Sequence, residues 1–353
     1  MNGARRKPTT VRELLRVSAA WLAEQGIESA DLEAQLLLAE ALGCRRIDLF
    51  MDHDRPLAPE ERDRFRALAR RRGQAREPLA YILGRREFFG FEFRVGPAVL
   101  VPRPESEHLV EAALEELDRR SLRRERFDGE LPHSADEAHP EGESGEGSES
   151  GARPRPEAAA RADAPSPTEI DAAGGKAGAA AAPSPVRVAD VGAGSGCIGI
   201  ALARLRPEAQ VLACDRSAAA LAVARENAAA LGVAERVRLV HGDLLSFVAA
   251  GTLDLVLSNP PYVGEDEVEL LSPEVRAHEP REALFDRPGL PLTQRLVEQA
   301  HEALAPGGLL AVETGQGSAE RVAAFFASAG FAKVRTLRDL AGIERVVLGR
   351  RSP

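Results

Sequence analysis

The sequence predicts an α/β protein: an open, mostly parallel sheet in the C-terminal half, preceded by a small helical bundle and a β-hairpin. Three observations predict it. From Val186 onward, short Val- and Leu-rich runs alternate with helical patterns, the order that builds a parallel sheet covered by helices on both faces. Between residues 10 and 75 the apolar residues recur at helical spacing, as in amphipathic helices sharing one core. A stretch rich in Phe, EFFGFEFRV, lies between these regions and reads as strand.

Residues 1–76 are assigned to the bundle. VRELLRVSAAWLAEQG places Val11, Leu14, Leu15, Ser18 and Leu22 along one stripe, and Gly26 follows as a stop. SADLEAQLLLAEALG is a second helix, with Ser29 or Asp31 as cap and Gly43 at its end. LAPEERDRFRALARRRG supplies a third, with Pro59 suited to its first turn. Residues 77–118 are read as a hairpin and a connecting helix, EFFGFEFRV and AVLVPR being the two arms and Gly96-Pro97 the turn. Residues 119–185 carry no apolar periodicity and are rich in Pro, Gly, Ser, Glu and Ala. Such a segment buries too little surface to offset the entropy of ordering it, so a disordered polar insertion is expected. Residues 186–353 hold the sheet: VRVADVG, QVLACD, VRLVHGD, LDLVLSN and GGLLAVET, with AKVRTLRD and ERVVLGR closing one edge as an antiparallel pair.

Composition narrows the function classes. The chain has 353 residues and a formal net charge of −9, so bulk charge does not draw it to phosphate, and direct nucleic-acid binding is not expected. The Arg70–Arg71–Arg72 cluster and RRSLRRER at 119–126 read as solvated helix surface. No apolar run is long enough for a membrane span, and the N-terminus lacks the pattern of a secretion signal. Three cysteines without CxxC spacing argue against a disulfide framework or a zinc site, and for the cytoplasm.

Two constellations carry chemistry. ADVGAGSGCIGIALA couples a strand to a helix through Gly192, Ala193, Gly194, Ser195 and Gly196. Glycines there let the chain turn sharply and bring backbone N–H groups close to a ligand. The pattern alone is shared by nicotinamide, flavin and adenosyl-methionine enzymes, and a packing turn is its bland alternative. Asp215 closes the next strand, where a carboxylate accepts from ribose hydroxyls. Asp243 closes the third, within reach of an adenine edge, although a strand-end Asp is also a common helix cap. Without a second glycine fingerprint or a diphosphate-binding feature, a smaller adenosyl ligand fits better than a dinucleotide. Cys197 and Cys214, with no nearby His, read as small buried hydrophobes.

The second constellation is NPPY. A strand, LDLVLS, runs into Asn259, Pro260, Pro261 and Tyr262. The Asn259 side-chain oxygen and the Pro260 carbonyl make two acceptors for both hydrogens of a planar NH₂, and proline's fixed φ pre-organises them. Tyr262 offers an aromatic face to a planar amide or base. A delocalised amide nitrogen is a poor nucleophile, and acceptors on both its hydrogens favour positive charge building on it during attack on a methyl group. The bland alternative is a turn in which Pro-Pro merely ends a strand.

With those residues in place, the chain resembles the class I adenosyl-methionine-dependent methyltransferases that modify planar amino groups. It is most similar to the release factor glutamine methyltransferase family, HemK/PrmC. EPLAYILGRREFFGFEFRV, VLVPRPESE, NPPY, EVRAHEPREAL and AGIERVVLGR carry the resemblance, which covers nearly all of the chain outside 119–185. It implies a Rossmann-like domain with a seven-stranded, mostly parallel sheet. It also implies methylation of the side-chain nitrogen of glutamine in the Gly-Gly-Gln loop of class 1 peptide release factors, by a monomer whose helical bundle docks the factor. Gly192 to Gly196, Asp215, Asp243, Leu244 and Asn259 would then hold the cofactor. Asn259, Pro260, Pro261 and Tyr262 would hold the glutamine. Arg103, Glu105 and Glu107 of PRPESE would lie near the mouth of the site in structural roles. Two departures stand out: the long insertion, and Leu244 where some relatives carry an aromatic. Amino-methylation of DNA or RNA bases, or of a ribosomal-protein glutamine, is the alternative reading. A binding adaptor without catalysis is a third.

Overall fold

The structure, a computed structural model, describes residues 10–129 and 185–353. Contacts group the described residues 10–120 with 185–353 in one compact unit. Most of the expected insertion, 130–184, lies outside the described residues.

The chain starts with four helices: α1 (Val11–Glu24), α2 (Ala30–Leu42), α3 (Arg46–Met51) and α4 (Pro59–Gly73). Thr10 caps α1, its hydroxyl accepting the Glu13 N–H at 3.3 Å, and Gly43, at φ 65°, ends α2. Their apolar stripes meet in a core around Leu22, Leu37, Leu38, Leu49 and Phe65. Helices α1 and α4 approach closely at Gly73, where a Cβ would stand 2.5 Å from the Trp21 ring. Helix α3 escaped the sequence reading because six residues are too few to show a period.

The arginine cluster on α4 corrects an expectation. Arg70 and Arg71 are exposed, but Arg72 is buried. Its guanidinium binds Glu33 of α2 at 2.5 Å and Glu274 at 2.8 Å, and Arg76 joins Glu274 at 2.6 Å. Two carboxylates and a second cation make burial tolerable, since a buried charge must be paired. Those partners are distant in sequence, so a local charge run could not reveal them.

The hairpin is also placed differently. After α5 (Leu79–Leu83), β1 (Arg85–Phe88) pairs antiparallel with β2 (Phe91–Arg94). The turn is Phe89-Gly90, not Gly96-Pro97. Phe89 and Gly90 both have positive φ, 51° and 76°, as a two-residue hairpin turn with the right twist requires. AVLVPR forms no strand, and prolines at 97 and 102 could donate nothing to a ladder. Instead Tyr81 donates its hydroxyl to the Val99 carbonyl at 2.5 Å. A 3-10 turn, Pro104–Ser106, leads into α6 (Glu107–Gly129). That helix runs past the boundary expected at 118, sustained by Arg119 and Arg120 pairing back to Glu115 and Glu116.

The remaining elements alternate: β3 (Val186–Val191), α7 (Cys197–Leu205), β4 (Ala209–Asp215), α8 (Ala218–Ala230), β5 (Val237–His241) and β6 (Leu253–Ser258). Short helices α9 (Pro273–His278) and α10 (Arg281–Leu284) follow, then α11 (Pro291–Ala303), β7 (Leu304–Glu313), α12 (Ala319–Ser328), β8 (Phe331–Arg338) and β9 (Glu344–Arg351). All seven strand-like runs form one sheet, ordered β5-β4-β3-β6-β7-β9-β8. β5 through β7 are parallel, whereas β9 inserts antiparallel between β7 and β8.

Side chains alternate across the sheet. Val186 and Val188 of β3 face a core with α6 and α7, while Ala189 and Val191 face another with α11 and α12. β3 lies between β4 and β6, so strand order reverses there, and a crevice opens beyond their carboxyl ends. No helix among the described residues is long and apolar enough to cross a membrane.

Candidate active site

A cleft of about 1050 Å³, including solvent at its mouth, occupies that crevice. One wall is the glycine loop between β3 and α7. Gly192, Gly194 and Gly196 have φ of 70°, 55° and 78°, a region closed to most side chains. At Gly192 and Gly194 an added Cβ would meet nothing within 4 Å, so at these two positions backbone shape and access from the cleft call for glycine. At Gly196 it would strike Ile200 at 2.5 Å and Ala224 at 3.2 Å. This third glycine serves close packing of the loop on its helices.

The loop is held from two sides. Asp215, ending β4, accepts the Gly194 N–H at 2.9 Å through Oδ2 and the Ser217 N–H at 2.8 Å through Oδ1. Each oxygen keeps a second lone pair for a hydroxyl from the cleft. Behind the loop, buried Asn227 of α8 donates to the Ser195 carbonyl at 2.9 Å. The same amide pairs with both the N–H and the C=O of Arg94, so the hairpin is fastened to the glycine loop.

Asp190 is fully buried beneath it. Its Oδ2 accepts the Gly199 N–H at 2.8 Å, while Oδ1 has no partner among the described residues. Burial raises its carboxyl to about 7, with the Gly199 bond opposing and Asp215 reinforcing. Gly199 must lack a side chain for this contact, because a Cβ would come within 2.9 Å of that oxygen.

The remaining sequence-predicted residues divide. Asp243 and Leu244 line the cleft, with Asp243 ion-paired to Arg295 of α11. Leu244 takes φ 51°, unusual for a branched side chain, and its carbonyl accepts the Cys214 thiol at 3.3 Å. Cys197 and Cys214 also face the cleft, and burial pushes both thiols up to about 12, so neither is poised as a nucleophile.

Asn259, Pro260 and Pro261 form the opposite rim. Ser258 anchors it, donating to the Val191 carbonyl at 2.7 Å. Asn259 Nδ2 donates to Ser106 Oγ at 3.0 Å, leaving Oδ1 as the end of the amide without a partner among the described residues. The Pro260 carbonyl likewise accepts no bond from them. Tyr262 stands outside the cleft wall: its ring lies over Gly315, where a Cβ would come within 2.8 Å of it. Burial first, then Glu313, lifts its phenol to about 12.

PRPESE borders the same rim. Arg103 binds Glu279 at 2.5 Å, and Glu279 also accepts the Val101 N–H at 3.2 Å. Glu107 accepts the Phe89 N–H at 2.8 Å, securing the hairpin turn. Sequence reasoning passed over Ser106, Asp190, Asn227 and Glu313. Asp190 is the one with a local signal, as a polar residue inside a buried strand next to the glycines.

Comparison with known proteins agrees with this geometry. Residues 13–84 match the model of the PrmC N-terminal domain, and residues 179–274 that of the methyltransferase small domain. The chain is 38% identical over 342 residues to a release factor glutamine methyltransferase of Geobacter sulfurreducens, covering 97% of this chain and 96% of that one. A protein of the same name from Chlorobaculum tepidum is 37% identical over 343 residues, covering 96% of each. Another from Nitratidesulfovibrio vulgaris is 35% identical over 356 residues, covering 100% of this chain and 99% of its own. With a glycine-loop cleft, an NPPY rim and likeness from end to end, this chain belongs to the release factor glutamine methyltransferase family.

Proposed function

We propose that the chain transfers a methyl group from S-adenosyl-L-methionine to the side-chain nitrogen (N5) of the glutamine in the Gly-Gly-Gln motif of class 1 peptide release factors. One observation carries the reading beyond family likeness: the Asn259 amide is tethered by its nitrogen, so its oxygen and the Pro260 carbonyl are the acceptors left at the rim.

The glycine loop fits the cofactor, since open space beside Gly192 and Gly194 exposes backbone to the cleft and Asp215 stands beside them. Bound there, the cofactor supplies an electrophilic methyl group. Gly192 to Gly196 shape its seat, Asp215 accepts from its ribose, and Asp243 and Leu244 border the adenine. Asn259 Oδ1 and the Pro260 carbonyl accept the two hydrogens of the glutamine NH₂. They hold the nitrogen in place and favour the positive charge that develops as it forms its new bond. Tyr262, stacked on Gly315, stiffens the turn that presents them.

The bundle of α1–α4 docks the release factor. Ile47, Phe50 and Met51 of α3 remain exposed, Met51 at 82%, and apolar groups left on one short helix suit a protein partner. The test is transfer of labelled methyl from cofactor to a purified release factor, followed by mass mapping. One added methyl on the Gly-Gly-Gln glutamine is expected. Label on duplex DNA or on a ribosomal protein, with none on the factor, would overturn the reading.

A further inference from the structure

Behind Asn259 runs a short polar relay that no motif assigns. Ser106 Oγ, which accepts from Asn259 Nδ2 at 3.0 Å, itself donates to Glu313 Oε2 at 2.6 Å. Both residues are 2% exposed. Ser106 is held by the 3-10 turn, its N–H bonded to the Arg103 carbonyl at 3.1 Å, and Arg103 is in turn pinned by Glu279.

A carboxamide has two ends of almost equal shape, and only its partners decide which way it points. We propose that Ser106 and Glu313 are positioning residues that dictate which end of the Asn259 carboxamide meets the acceptor nitrogen. An ionised carboxylate can only accept, so Glu313 accepts the hydrogen bond of the Ser106 hydroxyl. The Ser106 oxygen then has lone pairs alone to offer Asn259, which must answer with its NH₂. Oδ1 is thereby turned to the other side. The reversed amide would set NH₂ against NH₂ and repel the glutamine it should hold. A protonated Glu313 releases this constraint, because it donates to Ser106 and frees the hydroxyl to donate to Asn259 Oδ1.

Glu313 is placed to change charge near neutrality. Burial raises its carboxyl to about 7, and Ser106 opposes the rise. Glu105 adds to it, whereas Arg345 and His108 oppose it. Tyr262 and Cys197 are the other titratable groups in its field. Transfer should therefore weaken as pH falls below about 7.

The inference rests on the glutamine reading for its kinetic consequence, but not for its geometry. Ser106→Ala, Ser106→Thr and Glu313→Gln are made in the full chain. Hydrogen exchange of the ¹⁵N-labelled Asn259 side-chain NH₂ reports the tether without any substrate. Protection is expected in the wild type and Ser106→Thr, and its loss in Ser106→Ala. In methyl transfer, Ser106→Ala and Glu313→Gln should lower kcat about 10- to 100-fold, with cofactor Kd unchanged and KM for the release factor within about twofold. Ser106→Thr should restore most of the rate, and Glu313→Gln should abolish the acid limb of the wild-type kcat profile. Wild-type protection and kcat in Ser106→Ala, or an acid limb that persists in Glu313→Gln, overturn the proposal. A release factor left unmethylated by the wild type refutes the substrate reading instead, and the exchange measurement still decides the tether.

Discussion

The two walls of the cleft are built by opposite means. The glycine loop is a continuous stretch, and what it offers is largely backbone, shaped by positive φ at three glycines and braced by Asp215. The NPPY rim offers one side-chain oxygen and one carbonyl. Its key side chain is set by Ser106, 153 positions away, and Ser106 by Glu313, another 207 away. The first wall is a shape that grips; the second is an orientation that must be maintained. Damage to the loop should therefore appear as lost affinity or stability, and damage to the rim as lost turnover.

The sharpest way to break this comparison is Asn259→Ala. It should lower kcat by 10²–10³, about 3–4 kcal/mol of transition-state stabilisation by analogy with a single oxyanion-hole donor, while cofactor Kd measured by calorimetry stays near wild type. An equal loss in Kd would make the rim part of the cofactor seat and erase the distinction.

Next is the pH dependence of stability. Between about pH 4.5 and 7 an unfolded Glu313 has lost its proton while the native one, raised by burial to about 7, keeps it. The native state then binds more protons, so stability falls as pH rises through this window, by on the order of 3 kcal/mol. Glu313→Gln should remove that share of the slope in denaturant unfolding at pH 5 and pH 8. Asp190, also raised to about 7 by burial, leaves a remainder of the same sign. A slope unchanged by the substitution would deny Glu313 its protonated native form.

The smallest effects distinguish glycines within the loop. Gly196→Ala drives a Cβ into Ile200 and Ala224 and should cost about 2 kcal/mol of stability, seen as a lower Tm. Gly192→Ala meets open space, so it carries only backbone strain of about 1 kcal/mol. Its main effect should be weaker cofactor binding. If both variants lose Tm equally, the loop is packing throughout and not a seat.

Legibility followed sequence distance. The inner strands could be read because burial on both faces leaves continuous apolar runs, and the glycines because few other residues enter their backbone region. Asn259 stood out as an amide between a buried strand and two prolines. The sequence points to the wrong hairpin turn because Gly96-Pro97 carries a stronger punctuation signal than Phe89-Gly90, where a phenylalanine accepts positive φ. Arg72 reads as surface from the sequence because neither Glu33 nor Glu274 is near it in the chain.

By itself, the sequence determined the strand and helix alternation, the cleft's glycine loop and the acceptors of NPPY, since each follows from the chemistry of neighbouring residues. Only the tertiary structure decided that β9 inserts between β7 and β8, that Asn227 fastens the hairpin to the glycine loop, and that Ser106 and Glu313 stand behind Asn259. The physical reason is that a hydrogen bond or ion pair depends on separation in space, and these partners become neighbours only when the sheet and its helices close around a shared core.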